Sequence, residues 1–136
     1  MRCGAFSESE YSGEIYSPSY LFQTFQPAIT AAPGEMDFES LGGTTEFDIA
    51  VTKQEFHTID RVVLLRPASV THFFDADQRY IELRIEAADQ TGTDITLKVQ
   101  TPTDDLGPPG WYTLYVIERD PAGVRVPSVA HFIKLE

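Results

Sequence analysis

Apolar residues recur at every second position along most of this 136-residue chain, and that period constrains its fold more than any other feature. Side chains of an extended strand alternate between two faces, so a period of two marks a strand with one buried face. Phe47, Ile49 and Val51 alternate with Glu46, Asp48 and Ala50, and Ile95, Leu97 and Val99 alternate with Thr96, Lys98 and Gln100. Ile81, Leu83 and Ile85 are spaced by Glu82, Arg84 and Glu86. The uninterrupted run Val62-Val63-Leu64-Leu65 reads as a strand buried on both faces, and Val129 to Leu135 closes the chain with another apolar run. Helical spacing is almost absent. Turn residues punctuate the runs at Pro33-Gly34, Gly42-Gly43, Gln90-Thr91-Gly92, Gly107-Pro108-Pro109-Gly110 and Asp120-Pro121-Ala122-Gly123. Six or seven such strands bury their apolar faces most simply as two sheets packed together.

The longest run refines this reading. Tyr112, Leu114 and Val116 share one face of a strand, and Trp111, Thr113, Tyr115 and Ile117 share the other. Tyr112 stands two residues after Gly110 at the strand's start, the spacing of the tyrosine corner, whose hydroxyl ties a crossover loop to the backbone in immunoglobulin-like sandwiches. The expected fold is therefore all-β: an immunoglobulin-like antiparallel β-sandwich of about seven strands. Gln90-Thr91-Gly92-Thr93 is expected to join a strand ending near Ala88 to one beginning near Asp94.

Charge narrows the function. The net charge of −11 comes from 21 acidic and 10 basic residues, with no Lys/Arg cluster to release counterions from a phosphate backbone. Nucleic acid is not an expected partner. An anionic membrane surface is disfavoured by the same sign, and no apolar stretch approaches the roughly 20 residues that span a bilayer. Residues 1–17 lack the basic start and apolar centre of a signal peptide. Cys3 is the only cysteine, so no intrachain disulfide is expected.

No complete active site is legible from residue types and spacing. His57, His72 and His131 show no metal-site spacing, and each reads by default as a surface or hydrogen-bonded core histidine. Asp104-Asp105 and the pair Asp75 and Asp77 carry little weight as acid/base pairs in so acidic a chain. Phosphate loops and serine or cysteine nucleophile motifs are missing. No catalytic residue is assigned.

Four blocks of sequence nevertheless occur together in order: Gly13-Glu14-Ile15-Tyr16-Ser17-Pro18-Ser19-Tyr20-Leu21; Arg66-Pro67-Ala68-Ser69-Val70-Thr71-His72-Phe73-Phe74-Asp75-Ala76-Asp77-Gln78-Arg79; Pro108 to Val116; and Gly123-Val124 with Val126-Pro127-Ser128-Val129-Ala130. In these blocks the chain resembles the C-terminal, early-set immunoglobulin-like domain of galactose oxidase and the glyoxal-oxidase-like radical copper oxidases. The resemblance implies a seven-bladed propeller that carries most of a copper site. It also implies a sandwich that sends one histidine-bearing loop toward the propeller axis. The matching residue here is His72, in Val70-Thr71-His72, as a single copper ligand. The chain departs from the family by containing neither the propeller nor the cross-linked tyrosine and cysteine, and Cys3 matches no copper-site residue. One imidazole cannot hold a catalytic copper, so the chain alone is expected neither to bind copper tightly nor to oxidise anything. The resemblance implies that copper would belong to the parent protein.

The resemblance divides the chain at residue 25. Residues 1–25 correspond to the junction between propeller and sandwich, and residues 26–136 to the sandwich itself. Gly13–Ser17 would belong to the propeller's end as a strand; unpaired, it is expected to support weak homodimerisation through residues 11–25. Tyr16, Tyr20, Phe22 and Phe25 would supply an apolar face against the propeller or over a sheet edge, or else a sugar-stacking platform. Asp77-Gln78-Arg79 is expected to brace the histidine loop through hydrogen bonds and an ion pair. The function that follows is an accessory domain of a copper oxidase, with a free-standing carbohydrate- or protein-binding module as the alternative. The family is commonly extracellular; the chain itself does not fix a compartment.

Overall fold

The alternating runs form strands that pair into two sheets packed face to face. The structure, a computed structural model, describes residues 15–37, 46–72, 74–103 and 105–136. Gly42-Gly43 lies outside these residues. A short 3-10 helix, Ser19–Phe22, precedes the sandwich. The smaller sheet has the order β1 (Ala28–Ala31), β3 (Glu46–Thr52), β9 (Asp94–Gln100) and β8 (Ile85–Thr91). The larger runs β2 (Glu35–Met36), β12 (His131–Leu135), β10 (Gly110–Arg119), β4 (Thr58–Leu65) and β7 (Tyr80–Leu83), with β11 (Arg125–Pro127) also on β10. A separate hairpin consists of β5 (Val70–Thr71) and β6 (Phe74–Asp75). Pairing is antiparallel except between β12 and β2, which run parallel. The short β1, β2, β5, β6 and β11 contain too few residues for alternation to reveal them.

The core lies between the sheets. Ile49, Val51, Ile95, Leu97 and Val99 from the smaller sheet meet Val62, Leu64, Leu83, Tyr112, Leu114, Val116, Ile133 and Leu135 from the larger. Full burial of a leucine such as Leu64, Leu97 or Leu114 contributes about 2 kcal/mol relative to exposure. Val63 points away from this core yet is only 2% exposed, so β4 is buried on both faces as its apolar run implied.

Two strand assignments differ from the periodicity. Ile81, Leu83 and Ile85 read as one strand, but the chain changes sheets between them. β7 pairs with β4, whereas β8 pairs with β9, and Gln100 N–H donates to the Arg84 carbonyl at the crossing (2.9 Å). All three side chains still face inward or partly inward, so the alternation survives a corner that it cannot register. The next hairpin is also tighter than expected. Thr91 pairs with Asp94, leaving Gly92-Thr93 as a two-residue turn with positive φ only at Gly92 (+64°), as a type II′ turn requires.

Candidate functional site

Between the end of β4 at Leu65 and the start of β7 at Tyr80, the chain leaves the larger sheet and returns. This excursion carries the β5–β6 hairpin. Val70 pairs with Asp75 and Thr71 with Phe74, which places His72 in the tight connection at the hairpin's tip. His72 is exposed and adopts φ +53°. Left-handed backbone is uncommon outside glycine and costs on the order of 1–3 kcal/mol where it persists. Tight hairpin turns are where such backbone is needed.

The base of the hairpin is held by charge and hydrogen bonds. Arg66 N–H donates to the Arg79 carbonyl (3.2 Å), closing the neck. Arg66 Nε pairs with Asp77 Oδ2 at 2.8 Å. Asp75 Oδ1 accepts from the Ser69 and Asp77 backbone N–H groups (3.2 and 3.1 Å), and Arg79 Nη1 donates to the Leu106 carbonyl (3.5 Å). Asp75 and Asp77, given little weight as an acid/base pair from spacing, thus organise the loop. The Asp77–Arg79 segment braces it as expected, with Arg66 supplying the ion-pair partner.

Arg66 links the hairpin to the core. Its guanidinium lies over the Tyr112 ring, 5.6 Å from the centroid, and its Nη1 is 3.5 Å from the Tyr112 hydroxyl. That hydroxyl donates to the Pro108 carbonyl at 2.8 Å, and the ring is fully buried. This is the tyrosine-corner geometry that the Gly110–Tyr112 spacing implied. Gly110 eases the approach: its φ is +142°, and a Cβ there would stand 3.3 Å from Arg66 Nη2.

Beside the hairpin, the outer face of the larger sheet is apolar. Phe132, Thr113, Leu65 and Tyr80 are successive cross-strand partners in one row over β12, β10, β4 and β7. Phe132 is 60% exposed, Tyr80 56%, and Trp111, two residues along β10 from Thr113, 54%. The hairpin springs from two members of this row, Leu65 and Tyr80, and its own Val70 and Phe74 are exposed.

The other histidines lie elsewhere. His131 Nε2 is 3.2 Å from the Pro33 carbonyl. His57 stacks edge-on against Phe25 (centroids 4.5 Å apart), and its Nδ1 lies 2.7 Å from Glu118 Oε1, an ion-pair distance off the line of an ideal N–H···O bond. Glu118 is completely buried and also accepts from Gln54 N–H at 2.8 Å. Spacing could not reveal this pair, but one signal was present: Glu118 continues the inward-facing series Tyr112, Leu114, Val116. A carboxylate at a core position needs a partner. Among the described residues, no three His, Cys, Asp or Glu side chains gather as a metal site would require. Asp104 and Cys3 lie outside the described residues, as does the junction segment up to Glu14. Ile15, Tyr16 and Ser17 form no strand; Tyr16 and Phe22 are exposed, and Phe25 turns inward to His57.

Comparison with known proteins adds four findings. The family model for the galactose oxidase-like, early set domain matches residues 26–135. A solved structure of a fungal alcohol oxidase, described as catalytically diverse among the AA5 family and in complex with copper, aligns with a TM-score of 0.60 and 26% identity. The alignment covers 88% of this chain and 23% of that one, so the chain spans about a quarter of the oxidase's length. Murine CRIg aligns at 17% identity and a TM-score of 0.43, over 82% of this chain and 97% of its own. No curated protein matches the chain.

Proposed function

The chain belongs to the galactose oxidase-like early set domain family, and from that premise we propose that it is the accessory domain of a larger copper oxidase, lending His72 to a copper site whose other ligands lie on a propeller domain. The observation that carries this reading is the exposed imidazole at the tip of a hairpin braced from its base to the core. A neutral imidazole suits copper, which when bound would supply the one-electron redox chemistry of an oxidase.

The chain's own residues present and hold that ligand. Arg66, Asp77 and Asp75 fix the hairpin's neck, so its imidazole meets a partner without the entropy cost of ordering a free loop. The row Phe132, Thr113, Leu65, Tyr80, with Trp111 beside it, offers the apolar face against which the propeller would seat. Presenting the ligand and burying this face would be one event, because Leu65 and Tyr80 belong to both structures. The propeller would carry the substrate contacts.

Weak self-association through residues 11–25 is the second element of the proposal. Ile15, Tyr16, Leu21 and Phe22 are exposed, so contact would be made by apolar side chains rather than by strand pairing. Light scattering should detect a dimer that deletion of residues 1–17 weakens; a monomer indifferent to the deletion would remove this element.

Calorimetric titration of the chain with copper(II) tests the shared-site reading. The expected result is no stoichiometric uptake at micromolar protein. Tight one-to-one uptake, abolished by His72→Ala, would show a complete site in this domain and overturn it.

A further inference from the structure

A second candidate site lies at the opposite end of β4 from His72, roughly 25 Å away by the rise of eight extended residues. There the turn after β3 holds Phe56 at φ +64° with its ring 81% exposed. A phenyl ring gains nothing from water, and a non-glycine residue gains nothing from left-handed backbone. Such strain tends to persist where the side chain is needed.

The ring stands between two clefts. One, of about 510 Å³, is lined by Phe56, His57, Lys53, Glu55, Gln90 and Thr93; the other, of about 290 Å³, by Phe56, Thr58, Arg119 and Asp120. The floor is built rather than incidental. His57 lines the larger cleft while its Nδ1 rests against fully buried Glu118, which turns Nε2 away from that carboxylate. Buried Lys53 donates to the His57 and Gln54 carbonyls (2.8 and 3.3 Å), clamping the turn from beneath. Carboxylate, imidazole and ammonium are thus spent on fixing five residues whose tip is one exposed ring.

The geometry points to a binding site for a neutral sugar ring, stacked on Phe56 and hydrogen-bonded along its edge by His57, Gln90, Thr93 and Glu55. The choice of ligand follows from the lining. One isolated aromatic in polar surroundings lacks the continuous apolar centre of a protein interface. An anion would meet Glu55 and Asp120, because the larger cleft's one cation, Lys53, is buried with its ammonium held by the His57 and Gln54 carbonyls, and a small cation would meet Arg119. A pyranose has an apolar face for the ring and hydroxyls that both donate and accept, which matches a hydroxyl, an amide, an imidazole and a carboxylate set around one phenyl. This inference does not rest on the copper reading, since it uses no residue of the His72 end.

The test is an amide-resolved NMR titration of the full chain with cellohexaose, xylohexaose and mannohexaose in turn. At least one should shift resonances in 53–58, 90–93 and 119–123, and Phe56→Ala should weaken that binding at least tenfold while His72→Ala leaves it unchanged. Phe56→Gly supplies the control for folding: it relieves the left-handed strain, so Tm should stay level or rise while binding is lost. The inference is overturned if none of the three sugars perturbs these segments, if Phe56→Ala binds as well as the parent, or if Phe56→Gly lowers Tm, which would make the ring a structural contact.

Discussion

Tyr112 gives the residue scale its clearest case. Its hydroxyl donates to the Pro108 carbonyl and accepts a long contact from Arg66 Nη1, so Tyr112→Phe removes both and leaves the carbonyl short of a donor. We expect a loss of about 1 kcal/mol, read as a lower urea midpoint with an unchanged slope. Gly110→Ala should cost about as much or more, because alanine at φ +142° is strained and its Cβ crowds Arg66. Asp60 makes a different prediction. Its carboxyl is held below the usual carboxylate range first by the hydrogen bond from Arg125, then by Arg61. A depressed folded pKa contributes stability that is present above the unfolded value, near 4, and is lost as pH falls through the folded value. Asp60→Asn should therefore melt lower than the parent at pH 7, and the gap should close below pH 4; a gap that persists in acid would refute the linkage. The Tyr112 contact was legible because glycine and tyrosine are local in sequence. The His57–Glu118 pair was not, because only folding brings the turn before β4 beside the end of β10.

At the scale of elements, periodicity located the long strands and their inward faces but not their sheet membership. Ile81, Leu83 and Ile85 keep one inward direction through the crossing at Arg84, so no feature of the residue pattern marks the change from β7 to β8. The hairpin was not legible: the family blocks singled out 66–79 as a histidine-bearing loop, and two-residue strands give alternation nothing to work on. Its base is held by a few polar contacts. Asp77→Asn removes the Arg66 ion pair at a half-exposed position, so the cost to global stability should stay below about 1 kcal/mol. The local effect should be larger. Backbone amides of residues 69–78 should exchange faster with deuterium while those of β10 and β9 keep their protection. Equal loss of protection in the strands would mean that the hairpin is not a separate unit.

Across the whole molecule, charge and apolar surface are unevenly shared. The outer face of the smaller sheet carries Glu46, Asp48, Asp89 and Asp94 around Lys98. The larger sheet carries Arg61, Arg119 and Arg125 around Asp60 at one end and the Phe132–Tyr80 row at the other. Under the proposed function, the larger sheet, with the hairpin at its end, would be the one that meets the partner. Nitrogen coupling in pulsed electron paramagnetic resonance of copper(II), in a polypeptide joining this domain to the propeller that the proposal requires, addresses the central claim most directly. The account predicts that His72→Gln removes one imidazole coupling and reduces copper occupancy. The same coupling pattern and occupancy in parent and variant would contradict it.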